Sequence, residues 1–116
     1  MIKRENRLKK NKHFNYIYKH GSMRREDFIG LVYIKAKTKP FKVGFSVNNK
    51  VGKSVVRNRI KRRMREAFAQ MVCMIDKRYN YIFVAKDGIS EKNFFEIKDK
   101  MIEAVKKAGL INADNN

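Results

Sequence analysis

All of the net charge in this 116-residue chain sits in its first 65 residues. That half holds 21 Lys and Arg against Glu5, Glu26 and Asp27, whereas residues 66–116 hold eight bases and eight acids. No acid occurs between Asp27 and Glu66. Any compact fold built on such a segment must carry cations with no anionic neighbour to close on. It therefore repels itself until a polyanion neutralises it. Nucleic acid has the densest phosphate array, and each Lys or Arg contact to it releases condensed counterions. The partition of charge points to a nucleic-acid binder.

The length fits one domain, 1–116, and an apolar content of 43% can fill a modest core. Residues 1–8 and 112–116 are expected to lie free of it. Eight Phe and five Tyr are too aromatic for a disordered basic tail. No apolar run approaches the roughly 20 residues of a membrane span. The basic start MIKRENRLKKNKHF lacks the apolar stretch of a signal peptide, so a cytoplasmic location is expected. Cys73, alone in the chain, agrees with a reducing compartment. With His13 and His20 it offers no zinc spacing, and no metal site is expected.

Periodicity predicts a helix over residues 10–20, with Phe14, Ile17 and Tyr18 at i, i+3, i+4, Asn11 as cap and Gly21 as stop. Residues 28–37 read as a strand with Val32, Ile34 and Ala36 on one face and Leu31, Tyr33, Lys35 and Lys37 on the other. Thr38-Lys39-Pro40 is a turn signal, so residues 41–47 are expected to pair with that strand as a hairpin. A basic loop follows over 48–53. Ser54 then caps a long helix over 55–76, whose apolar stripe is Val56, Ile60, Met64, Ala67, Phe68, Met71, Val72 and Ile75. YNYIFVA, from Tyr79, is an apolar strand, and Ser90 with Asn93 makes half a capping box. Residues 91–108 form a last helix ended by Gly109. The order α-β-β-α-β-α argues α+β, with helices on a small, mostly antiparallel sheet.

The long helix opens Arg57-Asn58-Arg59-Ile60-Lys61-Arg62-Arg63-Met64-Arg65. At about 100° per residue, Asn58, Lys61, Arg62 and Arg65 form a stripe beside the apolar face, with Arg59 and Arg63 on the other shoulder. Lys50 and Lys53 extend this surface into the preceding loop. Guanidinium groups can clamp two phosphate oxygens or stack on a base. Asn58 can meet a ribose hydroxyl or a base edge. A merely solvated helix face would need acids at i, i+4, and none precedes Glu66 in this helix. Phe14 and Tyr18 sit among Arg7, Lys9, Lys10, Lys12 and Lys19, which is the pattern of single-strand binding. Their spacing equally suits core positions. Tyr33, on the Lys35/Lys37 face, is the better candidate for an exposed ring.

No paired carboxylates and no Ser/His/Asp or Cys/His set stand ready for catalysis, and acids are absent where a nuclease would hold Mg²⁺. A purely structural RNA-binding protein fits the same features. A helix-turn-helix DNA reader does not, because strands precede the basic helix. A membrane-surface helix would expose the apolar stripe that the core claims here.

Arg57-Asn58-Arg59 followed by Ile60-Lys61-Arg62 resembles the RNR motif of the bacterial ribonuclease P protein subunit. Three further blocks occur in that family's order: Arg7-Leu8-Lys9-Lys10-Asn11 with Phe14 and Gly21, Val43-Gly44-Phe45-Ser46-Val47 through Gly52, and Tyr81-Ile82-Phe83-Val84-Ala85. The resemblance covers residues 7–87. It implies a two-layer α/β sandwich like the second domain of ribosomal protein S5, with a left-handed βαβ crossover that runs against the usual handedness. It also implies partners: the ribonuclease P RNA, which is the catalyst and uses Mg²⁺, and precursor tRNA. No cofactor on the protein alone, no membrane and no obligate protein partner are expected. The resemblance assigns Arg57, Asn58, Arg59, Lys61, Arg62 and Arg65 to the catalytic RNA. It assigns Phe14 and Tyr18 to a cleft for the single-stranded 5′ leader, with Lys50, Lys53 and a strand residue alongside. Counting from Phe28 makes that strand residue Leu31, while Tyr33 shares its face.

Overall fold

Tyr81, Ile82 and Phe83 are each fully buried, so the strand that carries them must be covered on both faces and flanked on both edges. That requirement organises the molecule. The computed structural model describes residues 2–111. It contains α1 (Asn11–His20), β1 (Ser22–Glu26), β2 (Ile29–Lys35), β3 (Val43–Val47), α2 (Ser54–Met71), β4 (Tyr79–Ala85) and α3 (Phe94–Lys107). The strands form one sheet in the order β1-β2-β4-β3. β2 is antiparallel to β1 and β4, and β3 runs parallel to β4.

Two sequence expectations fail here. The β2–β3 hairpin does not form, because β4 inserts between the two strands. A central place pairs both edges of β4, while α2 and α3 cover one of its faces and α1 the other. β1 escaped notice because its residues, SMRRE, are nearly all exposed and carry no apolar alternation. It is held instead by a tight turn at Asp27 and Phe28, with Glu26 opposite Ile29 and Asp27 at φ 52°.

Alternation divides the sheet into two unequal cores. Ile29, Leu31, Tyr81, Phe83 and Val43 face α2 and α3, meeting Ile60, Met64, Phe68 and Met71 from α2 and Ile97, Met101 and Val105 from α3. Val32 and Ile82 face the other way and bury Ile17 of α1, with Leu8, Phe14, Ile34 and Val84 around them. The main sandwich is thus the sheet under α2 and α3, and α1 crosses the opposite face. β3, α2 and β4 make the parallel βαβ unit.

Helix ends depart from the expected caps. Lys10 and Lys53 occupy the N-cap positions of α1 and α2 and give no side-chain cap, so Asn11 and Ser54 are the first helical residues. α2 stops at Met71, and a 3-10 turn over Val72–Met74 turns Ile75 into the core. Asn93 caps α3 with a complete box: Glu96 N–H donates to Asn93 Oδ1 (2.9 Å) and Asn93 N–H to Glu96 Oε1 (3.0 Å). Residues 2–8 are packed rather than free. Ile2 is buried, Asn6 Nδ2 donates to Phe41 O (2.8 Å) and Leu8 N–H to Val43 O (2.9 Å). The tail 112–116 lies outside the described residues.

Candidate nucleic-acid interface

The amphipathic period of α2 sets where its cations can go. With Ile60, Met64, Ala67 and Phe68 buried, Lys61 and Arg65 emerge along the β3 edge of the sheet. There they meet Arg7 and Lys9 across a cleft of about 330 Å³ whose walls include Leu8, Phe14, Gly44 and Phe45. The N-terminal segment reaches this place because Arg7 bridges to Val43 at the sheet edge. Sequence spacing sets Arg7 and Lys9 beside Phe14; only the fold sets them opposite α2. Gly44 permits the arrangement, since a Cβ there would lie 2.5 Å from Phe14 Cζ.

Asn58 and Arg62 are exposed on the same shoulder. Arg57 donates to Asn49 Oδ1 (2.7 Å) and Ser54 Oγ (3.0 Å), tying the first helical turn to the loop that carries the exposed Lys50 and Lys53. Gly52 in that loop adopts φ 156°, ψ −171°, a region open essentially to Gly alone. With no side-chain cap on α2, its first-turn N–H groups add the positive end of the helix dipole to this surface. The other shoulder is different. Arg63 Nη1 donates to Lys92 O (2.9 Å), so it ties α2 to the segment just before α3 rather than fanning outward. Arg59 beside it is half-buried, its Nε buried without a hydrogen-bond partner.

Phe14 and Tyr18 share one flank of α1, and Tyr18 is 39% exposed. Tyr16 occupies the other flank, under the Lys37 ammonium beyond the end of β2. The Phe14/Tyr18 flank therefore looks toward the opposite end of the sheet. On that side lies the cross-strand row Gly30–Val84–Ser46, and the 48–53 loop leaves β3 there. Phe14 packs over Gly44 beside the Lys61/Arg65 cleft, whereas Lys50 and Lys53 stand in the loop beyond Val47.

Tyr33 does not join Phe14 and Tyr18. It lies on the opposite face, half-buried against the larger core, with its ring edge-on to Tyr79 at 6.2 Å. Leu31 shares that face and is fully buried. Residues of one parity in β2 belong to one core, so α1 faces Val32 and Ile34 instead. Neither strand candidate from the sequence lines the α1 side.

The acids that form ion pairs lie elsewhere. Glu26 takes Lys107 (2.9 Å) and Arg24 (3.1 Å), and Glu103 takes Lys107 (2.9 Å) and Lys100 (3.1 Å). The Lys107 hydrogen bond, chiefly, holds both carboxyl groups below their ordinary pKa, and Arg78 does the same for Asp76. Among the described residues no ion pair reaches α2. Nor does any group of three or more His, Cys, Asp or Glu there suit a metal ion. No described helix is long and apolar enough to cross a membrane.

Comparison with known proteins agrees with this geometry. The ribonuclease P protein component of Geobacillus sp. strain WCH70 is 35% identical over 97% of this chain and 98% of its own length. That of Clostridium beijerinckii is 39% identical over 91% of this chain and 90% of its own. The Staphylococcus aureus RNase P protein superimposes with a TM-score of 0.84 at 30% identity, covering 92% of this chain and 98% of that one. The Thermotoga maritima RNase P protein gives 0.79 at 25% identity, covering 87% and 96%. The family model for ribonuclease P matches residues 2–109, and with these relatives it establishes that the chain belongs to the ribonuclease P protein component family, whose work is tRNA processing within a ribonucleoprotein.

Proposed function

We propose that this protein binds the ribonuclease P RNA through the outer shoulder of α2 and holds the 5′ leader of precursor tRNA along the Phe14/Tyr18 flank of α1. The observation that carries this reading is the meeting of two unneutralised surfaces at one sheet edge, Lys61 and Arg65 from one side and Arg7, Lys9 and Phe14 from the other. Two RNAs brought together repel through their phosphates. A basic ridge with separate walls lowers that repulsion while each wall takes its own strand. Asn58, Arg62 and Arg65 suit structured RNA, where guanidinium and amide groups meet phosphate and ribose. The aromatic flank suits an unpaired strand, whose bases stack on rings whatever their sequence.

In this reading the RNA subunit, with its Mg²⁺, cleaves, and the protein raises substrate affinity in the cytoplasm. The test is leader length. Tyr18→Ala in the reconstituted holoenzyme should weaken binding of long-leader precursor tRNA about fivefold to a hundredfold, the range for loss of one stacked base. A substrate with a leader of one or two nucleotides should bind nearly as before. Equal loss on both, with unchanged thermal unfolding, would refute the leader assignment and favour a purely structural role on RNA.

A further inference from the structure

The far flank of α1 carries aromatic and basic groups that the leader reading does not use. Tyr16 is 42% exposed, whereas Ile17 beside it is 3% exposed and supplies the packing that holds the helix to the sheet. The Tyr16 ring sits 4.6 Å from the His20 ring, centroid to centroid, at an interplanar angle of 43°. Lys37, arriving from the segment after β2, places its ammonium 5.0 Å from the centre of the Tyr16 ring. The neighbouring Tyr16 side chain holds the Lys37 pKa above its ordinary value.

The helical period places Lys12, four residues before Tyr16, and Lys19, three after it, on the same side of α1. Lys35 and Lys39 flank Lys37 in sequence. No acid occurs in this part of the chain, and Asp76, which comes within electrostatic reach of Lys35, is already paired with Arg78. A hydrophobic core has no use for an exposed ring in this position, and a protein partner with acidic groups would leave the paired rings unexplained.

We propose that Tyr16, His20 and Lys37 form a second contact for unpaired RNA, on the opposite flank of α1 from Phe14 and Tyr18. A nucleobase stacks on the Tyr16/His20 pair, and Lys37 swings from the ring to the adjoining phosphate. The ammonium already rests over a π face by cation–π attraction, and an incoming base exchanges for it at the same surface. The strand taken is single-stranded because only splayed bases can reach an exposed ring. α1 would then be gripped by RNA on both flanks, with Ile17 between them as its only deep anchor.

The test uses the free protein and a labelled oligoadenylate of eight nucleotides, with polyphosphate as a polyanion without bases. Neither the catalytic RNA nor precursor tRNA is present, so failure of the leader assignment would not alter the readout. Tyr16→Ala should weaken oligoadenylate about fivefold or more, the lower bound for one stacked base, and leave polyphosphate unchanged. Tyr16→Phe should bind like the unaltered protein. Tyr16→Trp should show its emission quenched on adding oligoadenylate but not on adding polyphosphate. The effects of Tyr16→Ala and Tyr18→Ala should multiply, since the two rings lie on separate flanks. Unchanged oligoadenylate affinity in a folded Tyr16→Ala protein would overturn the proposal. Equal losses for oligoadenylate and polyphosphate would do so as well, because charge alone would then explain the binding.

Discussion

α2 and α3 lie on the same face of the sheet, bury comparable apolar stripes and touch one another, yet they treat charge in opposite ways. Along α3 the charges close on themselves. Glu103 holds Lys100 and Lys107, Lys107 reaches Glu26 on β1, and Asn93 with Glu96 closes the first turn. Along α2 six Lys and Arg precede its one acid, Glu66, and the anchored ones, Arg57 and Arg63, reach neutral oxygens. A neutral acceptor positions a cation without cancelling its field. The inner faces of the two helices make stability alike. Their outer faces differ because one has spent its charge within the molecule and the other holds it for a partner.

The sharpest way to break this comparison is to strip each outer face in turn. Replacing Lys61, Arg62 and Arg65 together with Ala should make the log–log salt dependence of RNA binding shallower by about two to three units. Thermal stability should hold or rise as self-repulsion falls. Replacing Lys100 and Lys107 of α3, both held by acids, should leave that slope unchanged. Equal slopes in the two variants would erase the distinction.

A smaller effect concerns helix ends. Asn93→Ala should cost about 1 kcal/mol of unfolding free energy, since it removes the side-chain oxygen that accepts the Glu96 N–H. Ser54→Ala should cost less, because that side chain caps nothing; chemical denaturation of the two variants reads the difference. The smallest effect is one of pH. Glu26 and Glu103 have folded pKa values below the ordinary 4.5, so their contribution is complete above that value. It is lost as pH falls through the depressed values. Unfolding midpoints followed from pH 6 to pH 3 should therefore decline less steeply for Glu26→Gln than for the unaltered protein, at low ionic strength where exposed pairs are least screened.

How much of this was legible beforehand depended on whether a residue's neighbours were local. The α2 stripe was legible, because Ile60, Met64, Ala67 and Phe68 repeat with the helical period and all are buried. So was the absence of acid partners, which needs only counting. Strand pairing was not. Nothing local says that Tyr79–Ala85 will slip between two strands that precede it; that follows from burying both its faces at once. The cleft wall failed for a related reason. Sequence alternation correctly separated Val32 and Ile34 from Leu31 and Tyr33, but it cannot say which set faces α1. Tyr16 was passed over because the helical period reads for inward positions, and an exposed ring is meaningful only once Lys37 and His20 are seen beside it.

β3 forms one edge of the sheet, and its outer side is bridged only at Val43 among the described residues. An open strand edge is a template on which a second copy of the same chain can zip itself. Here Lys9, Lys61 and Arg65 stand beside that edge, and Lys50 and Lys53 lie just past its end. Two such edges approaching each other bring like charges together, so the cations also keep the free protein from self-association. That protection has a short range. It reaches about 10 Å at 0.1 M salt and only about 3 Å at 1 M. Concentrated salt, the usual means of stripping RNA from a basic protein, therefore also removes the charge barrier between two such edges.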